Sequence, residues 1–185
     1  LCAPIVDFVN EGDLNTMSGH LDTPGTISIS DATYVALISD IARSLKGGGF
    51  EHIIFISDNG GPNQAGQAAV AEKLNKEWDG SFVHYIPEYY ESWNNADNFF
   101  LENDLTEEGV RDGVHDDPSV TTLLMLDDPK WVRWEERVPV GEMSINGVSI
   151  ADKQLAVAWG KELVKARAKP TAEAIRRAIA SGSAN

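Results

Sequence analysis

The chain holds one cysteine, Cys2, among its 185 residues. That excludes a disulfide within these residues and any cysteine-built zinc site, and it leaves the redox compartment open. No apolar run approaches the roughly 20 residues of a membrane-spanning helix. Basic residues are few: 15 Lys and Arg stand against 29 Asp and Glu, a formal charge of -14. Such a chain is repelled by nucleic acid and by anionic membranes. Only four histidines occur, His20, His52, His84 and His115, and none stands in an H-x-H or H-E-x-x-H spacing. The phosphate-cradling patterns G-x-G-x-x-G and G-K-[ST] are missing, and so is the G-x-S-x-G elbow of serine hydrolases. There is no internal repeat and no low-complexity segment.

What remains is enough for one domain, residues 1–185, with a substantial core: 42% of the residues are hydrophobic. Residues 1–9 read as a strand, Leu-Cys-Ala-Pro-Ile-Val at their start, and a chain that opens inside a core strand is expected to lack an N-terminal segment. Residues 10–30 form a polar loop. Ser30 and Asp31 precede a helix whose apolar positions are Tyr34, Leu37, Ile38, Ile41 and Leu45, with either residue a natural N-cap. Gly47-Gly48-Gly49 ends it. A strand over 52–56, buried on both faces, a helix over 64–76 and a strand from Phe82 to Ile86 complete a βαβαβ rhythm. The expected fold is therefore α/β with a mostly parallel sheet. The aromatic stretch 87–114 reads as a long loop of the kind that lids a site. Residues 136–150 read as a hairpin or irregular loop, and two helices, about 152–168 and 171–181, are expected to be split by Pro170.

The turn Ser57-Asp58-Asn59-Gly60-Gly61 follows the central strand. Ligands in open α/β sheets bind beside the carboxyl ends of strands, so a site belongs here. Asp58 is the only ionisable group in that turn; its bland alternative is an Asx-turn residue or helix cap. Asp112, Asp116 and Asp117 flank His115, and acids favour the protonated imidazole, which suits a proton donor. The plainer alternative is a surface turn with a helix-capping Asp. His52 and His84 open strands and read as structural.

Four blocks in order resemble the creatininase (creatinine amidohydrolase) family. Gly19 to Ile29 is similar to its "H…F-P-G-T-I-S-L". The helix Tyr34 to Leu45 with Gly49-Phe50 is similar to "L…D…S-L…G-F". Ile53 to Asn63 stands where the family has "V-N-G-H-G-G-N". Gly113-Val114-His115, Thr121-Thr122 and Asp127 to Val132 are placed like "H-A-G-E-x-E-T-S…P-x-x-V". The resemblance implies a three-layer α/β/α sandwich, usually a homo-oligomer, that hydrolyses C–N bonds of small cyclic amides or short peptide amides with divalent metals, zinc or manganese. It implies His115 as the proton shuttle. The family's opening "G-x-x-E-x-H-G-x-H-L-P", with part of the ligand set, would lie before Leu1, on a missing segment or companion fragment. Asp58-Asn59 replace the family's Gly-His, so Asp58 is expected as an oxygen ligand or water orienter and Asp117 as a second ligand. His20, Asn59, Gly60 and Gly61, with Tyr89 and Trp93 of the aromatic stretch, are expected against the substrate. Two rival readings are a binding subunit of this fold without metals, and an enzyme that uses Asp58 and His115 without metal.

Overall fold

The computed structural model describes residues 1–105 and 117–182. These fall into two compact units, residues 1–90 with 173 onward, and residues 91–172.

The first unit is built on helix α1 (Asp31–Gly47), strand β1 (Ile53–Phe55), helix α2 (Pro62–Glu77), strand β2 (Val83–Tyr85) and one turn of helix, α3 (Glu88–Glu91). Ser30 is the α1 cap: its Oγ accepts from the Thr33 amide at 3.2 Å, an arrangement worth about 1 kcal/mol. Tyr34, Ile38 and Ala42 of α1, one turn apart, meet Val70, Ala71 and Leu74 of α2, and Ile53 and Val83 join them in one core. The strands pair in parallel, Ile53 with Val83, Ile54 with His84 and Phe55 with Tyr85. The α/β character is thus present, but among the described residues the parallel sheet has two strands. Asn75 of α2 covers the start of β2 on its outer side. Its Oδ1 accepts from the amides of Phe82 and Val83 at 2.9 and 2.8 Å, and its Nδ2 donates to the Val83 carbonyl at 2.7 Å. One side chain thereby occupies the outer edge of the strand. β1 is also less buried than expected: Ile53 is covered, Ile54 and Phe55 are half-buried, and Ile56, just past the strand, is exposed.

Residues 1–9 do not form the expected strand. Among the described residues, their one backbone bond to a distant segment is Ile29 N–H to the Val9 carbonyl at 3.0 Å. Without a partner ladder, apolar residues alone do not make a strand. Leu1, Ile5 and Phe8 stay exposed, while Val6 and Val9 rest on the core.

The second unit contains α4 (Trp93–Glu102), α5 (Pro118–Asp127), the short helix α6 (Trp134–Arg137), the strands β3 (Ser144–Ile145) and β4 (Val148–Ser149), and most of the long helix α7 (Lys153–Gly182). The aromatic stretch is thus helical over its described part rather than a loop. Ala96 and Phe100 of α4 are buried with Val148 and Leu163. β3 and β4 form the expected hairpin, Ser144 opposite Ser149. Its loop is Asn146-Gly147 with φ of 47° and 79°, the left-handed pair that a two-residue hairpin requires and that this dipeptide suits.

α7 does not break at Pro170. Proline removes the N–H that would bond the carbonyl four residues back. Here that carbonyl, Ala166, accepts instead from Asn95 Nδ2 at 3.3 Å. Arg167 Nε donates to Ser92 Oγ at 3.2 Å in the same region, and the helix is held through the gap. No helix among the described residues is long and apolar enough to cross a membrane.

Candidate functional site

The carboxyl end of β1 carries a chain of polar side chains that begins at buried Asn63, the second residue of α2. Asn63 pairs with the Asn10 backbone as a strand would, accepting from its N–H at 3.1 Å and donating to its carbonyl at 3.1 Å. The Asn63 Nδ2 also donates to Asn59 Oδ1. Asn59 Nδ2 in turn donates to Glu11 Oε1 at 2.6 Å. The other Glu11 oxygen, Oε2, meets His20 Nδ1 at 2.8 Å. With the carboxylate oxygen as acceptor, Nδ1 is the donor of this bond. The Glu11 side chain is 21% exposed and that of His20 is 72% exposed: the acid is largely covered and the imidazole opens to solvent.

Local structure fixes each member. His20 sits in a 3-10 turn, Gly19–Asp22, and its own N–H donates to the Glu11 carbonyl at 2.9 Å. Glu11 N–H donates to Ser28 Oγ at 2.9 Å. Asn10 Nδ2 donates to Asp31 Oδ1, on the first residue of α1, at 2.6 Å. Gln64 Nε2 donates to the carbonyls of Asn59 and Ser57, and Tyr85 OH donates to Gln64 Oε1 at 2.8 Å. Asp58 lies exposed in the same turn. Gly60 is pressed against the Tyr90 hydroxyl so closely that a Cβ there would collide with it. Tyr90 therefore stands against this turn.

His20, Asn59 and Gly60 are thus brought to one place in the first unit, with Asp58 and Gly61 on the same turn. Glu11 and Asn10 were invisible to sequence reasoning, and Asn63 was read only as the end of the turn block. Glu11 stands between Asn10 and Gly12 in what reads as loop, and its partner Asn59 is 48 residues away. In the second unit, Asp117 is buried and caps α5, its Oδ1 accepting from Val120 N–H at 3.0 Å and from Ser119 Oγ. Trp93 lies under the Arg167 guanidinium, 3.6 Å from its ring centre. His115 and Asp116 lie outside the described residues.

Among the described residues, no group of three or more His, Cys, Asp or Glu side chains could hold a metal ion. Glu11 and His20 come together, but the neighbour that joins them is the amide of Asn59, a weak ligand for zinc or manganese. The donors described here do not fit a divalent-metal centre.

At the amino end of the same strands, His52 Nδ1 and His84 Nε2 meet at 3.1 Å. His84 is buried, and burial first, then the neighbouring His52, lowers its pKa below the ordinary histidine value.

A family model described as creatinine amidohydrolase matches residues 15–175. No curated protein and no solved structure matches the chain.

Proposed function

The chain belongs to the creatininase family, and from that premise we propose that it hydrolyses an amide or related C–N bond at the carboxyl end of β1. The observation that supports this most is the Glu11–His20 pair, steadied by Asn59. A carboxylate that orients an imidazole through Nδ1 leaves Nε2 to take a proton from water. In the proposed reaction His20 Nε2 accepts that proton as the water oxygen bonds to the amide carbon. The C–N bond then breaks, and the departing nitrogen must leave protonated, since an amide anion is too poor a leaving group. His115 is the proposed donor of that proton. Asp58, exposed beside Asn59, orients the water, and Gly60 and Gly61 let the substrate approach the backbone. Family members generally bind divalent metals, but the described donor set does not fit one and no step is assigned to it. The three-layer sandwich and the homo-oligomer belong to the same proposal.

A binding subunit without chemistry is the second reading. It is favoured by the amide of Asn59 standing beside the acid–imidazole pair in place of a third ionisable donor. The test is a turnover assay on creatinine and a series of cyclic and linear amides. His20→Gln is expected to lower turnover about a hundred- to ten-thousand-fold, the range of general acid–base assistance. Undiminished turnover in this variant would refute the role of His20. Binding of an amide without turnover by the native protein would favour the binding subunit.

A further inference from the structure

The second unit contains a cleft that the hydrolytic reading does not use. It has a volume of about 180 Å³ and is lined by Thr121 of α5 and by Trp131, Val132, Arg133 and Arg137. The chain carries nearly two acids for each basic residue, so two guanidinium groups on one small cleft reverse its general charge.

Three of the acids nearby in sequence are engaged elsewhere. Asp128 pairs with Lys130 at 2.8 Å, and Glu135 with Lys153 at 3.2 Å. Asp127 Oδ2 accepts from Trp131 Nε1 at 2.7 Å. Arg133 meets Glu136 only at 3.9 Å, with both side chains 72% exposed, a contact worth little in water. Arg137 forms no ion pair among the described residues.

Two further features point to a ligand. Trp131 is 57% exposed, its hydrogen bond to Asp127 fixes the indole, and Lys130 Nζ lies 4.9 Å from its ring centre, so a flat ring is held partly open to solvent beside a cation. Arg133 adopts φ 50° and ψ 45° between the 3-10 turn Pro129–Val132 and α6. That left-handed conformation is uncommon for a residue other than glycine, and strain of this kind concentrates at functional positions. It turns the chain so that Trp131 and Arg137 line the same cleft.

We propose that this cleft binds a small oxyanion, the carboxylate or phosphate group of a compact or flat molecule. The planar guanidinium fork matches both groups in bidentate geometry. The volume lies below the roughly 300–1,000 Å³ of sites that enclose a drug-sized ligand, so the cleft accommodates the anionic group and little more. The inference does not depend on the hydrolytic site of the first unit.

The test is titration of the full chain with sodium phosphate and with sodium benzoate at constant ionic strength, read by calorimetry and by indole fluorescence, with Trp131→Phe identifying the reporting ring. Saturable binding of at least one anion is expected. Phosphate binding identifies a phosphoryl ligand, and benzoate binding alone identifies a carboxylate carried on a flat ring. Arg137→Gln is expected to weaken binding about tenfold or more, since a hydrogen bond to a charged group is lost. Arg133→Gly is expected to do the same, and glycine suits this backbone, so the variant keeps its fold. Absence of saturable binding to both anions, or unchanged affinity in both folded variants, overturns the proposal.

Discussion

The two ends of the β1–β2 pair solve the same problem in opposite ways. Each must place polar side chains where a short parallel pair leaves off. At the amino end, His52 and His84 hydrogen-bond each other at 3.1 Å, with His84 buried. Burial favours the neutral ring and removes charge. At the carboxyl end, Asn63 is buried instead, and the ionisable groups, Glu11 and His20, are displaced outward to the end of an amide relay. Amides satisfy buried backbone without titrating. The difference teaches where chemistry can reside: a buried histidine, His84, braces the strands with its neighbour, while an acid and an imidazole at the rim are open to solvent.

Glu11→Gln should have the largest effect on this contrast. The isosteric amide keeps the shape but no longer orients His20 as a charge, so turnover should fall about a hundred- to ten-thousand-fold with the melting temperature little changed. A lowered melting temperature with normal turnover would make Glu11 a structural residue. Asn63→Leu comes next. It leaves Asn10 N–H and C=O without partners and should cost about 3 kcal/mol in urea unfolding; a loss below about 1 kcal/mol would show that water replaces the amide.

The amino end should respond to pH. The His84 pKa is lowered in the folded state, so below the unfolded value of about 6.5 the unfolded chain binds more protons. Stability is therefore full above that pH and declines as pH falls through the His84 range. Melting temperatures between about pH 7.5 and 5.5 should show the decline, and His84→Gln should flatten it. An unchanged slope in that variant would remove the pair from the account. Asp58→Asn should have the smallest effect on stability, within about 0.5 kcal/mol as for most surface changes, while reducing turnover. Full turnover would leave Asp58 as a turn residue alone.

Local signals were legible in the sequence. The cap at Ser30 or Asp31, the apolar spacing of α1 and the glycine stop all rest on residues close along the chain; 136–150 read only as a hairpin or irregular loop. Long-range partners were not. Pro170 reads as a break because the replacement donor, Asn95, lies 71 residues away. The aromatic stretch hid its helix because Asn94, Asn95, Asp97 and Asn98 are weak helix formers, while Ala96 and Phe100 gain stability from burial that only the folded unit provides. The strand-end turn was found from pattern, but the acid hydrogen-bonded to it was not. Glu11 acquires its role only when folding brings Asn59 to it.

Asn59-Gly60 also bears on how the protein ages. An asparagine followed by glycine loses ammonia readily, because the unhindered glycine nitrogen attacks the side-chain amide, and water opens the resulting ring to aspartate or isoaspartate. That attack requires the amide to swing toward the backbone. Here its nitrogen is held by Glu11 and its oxygen by Asn63, which slows the reaction at this dipeptide in the folded protein. A molecule that does convert would carry two carboxylates face to face where an amide and an acid now meet. Their repulsion would part Glu11 from the turn, so chemical ageing at one atom would uncouple the acid from the strand that positions it.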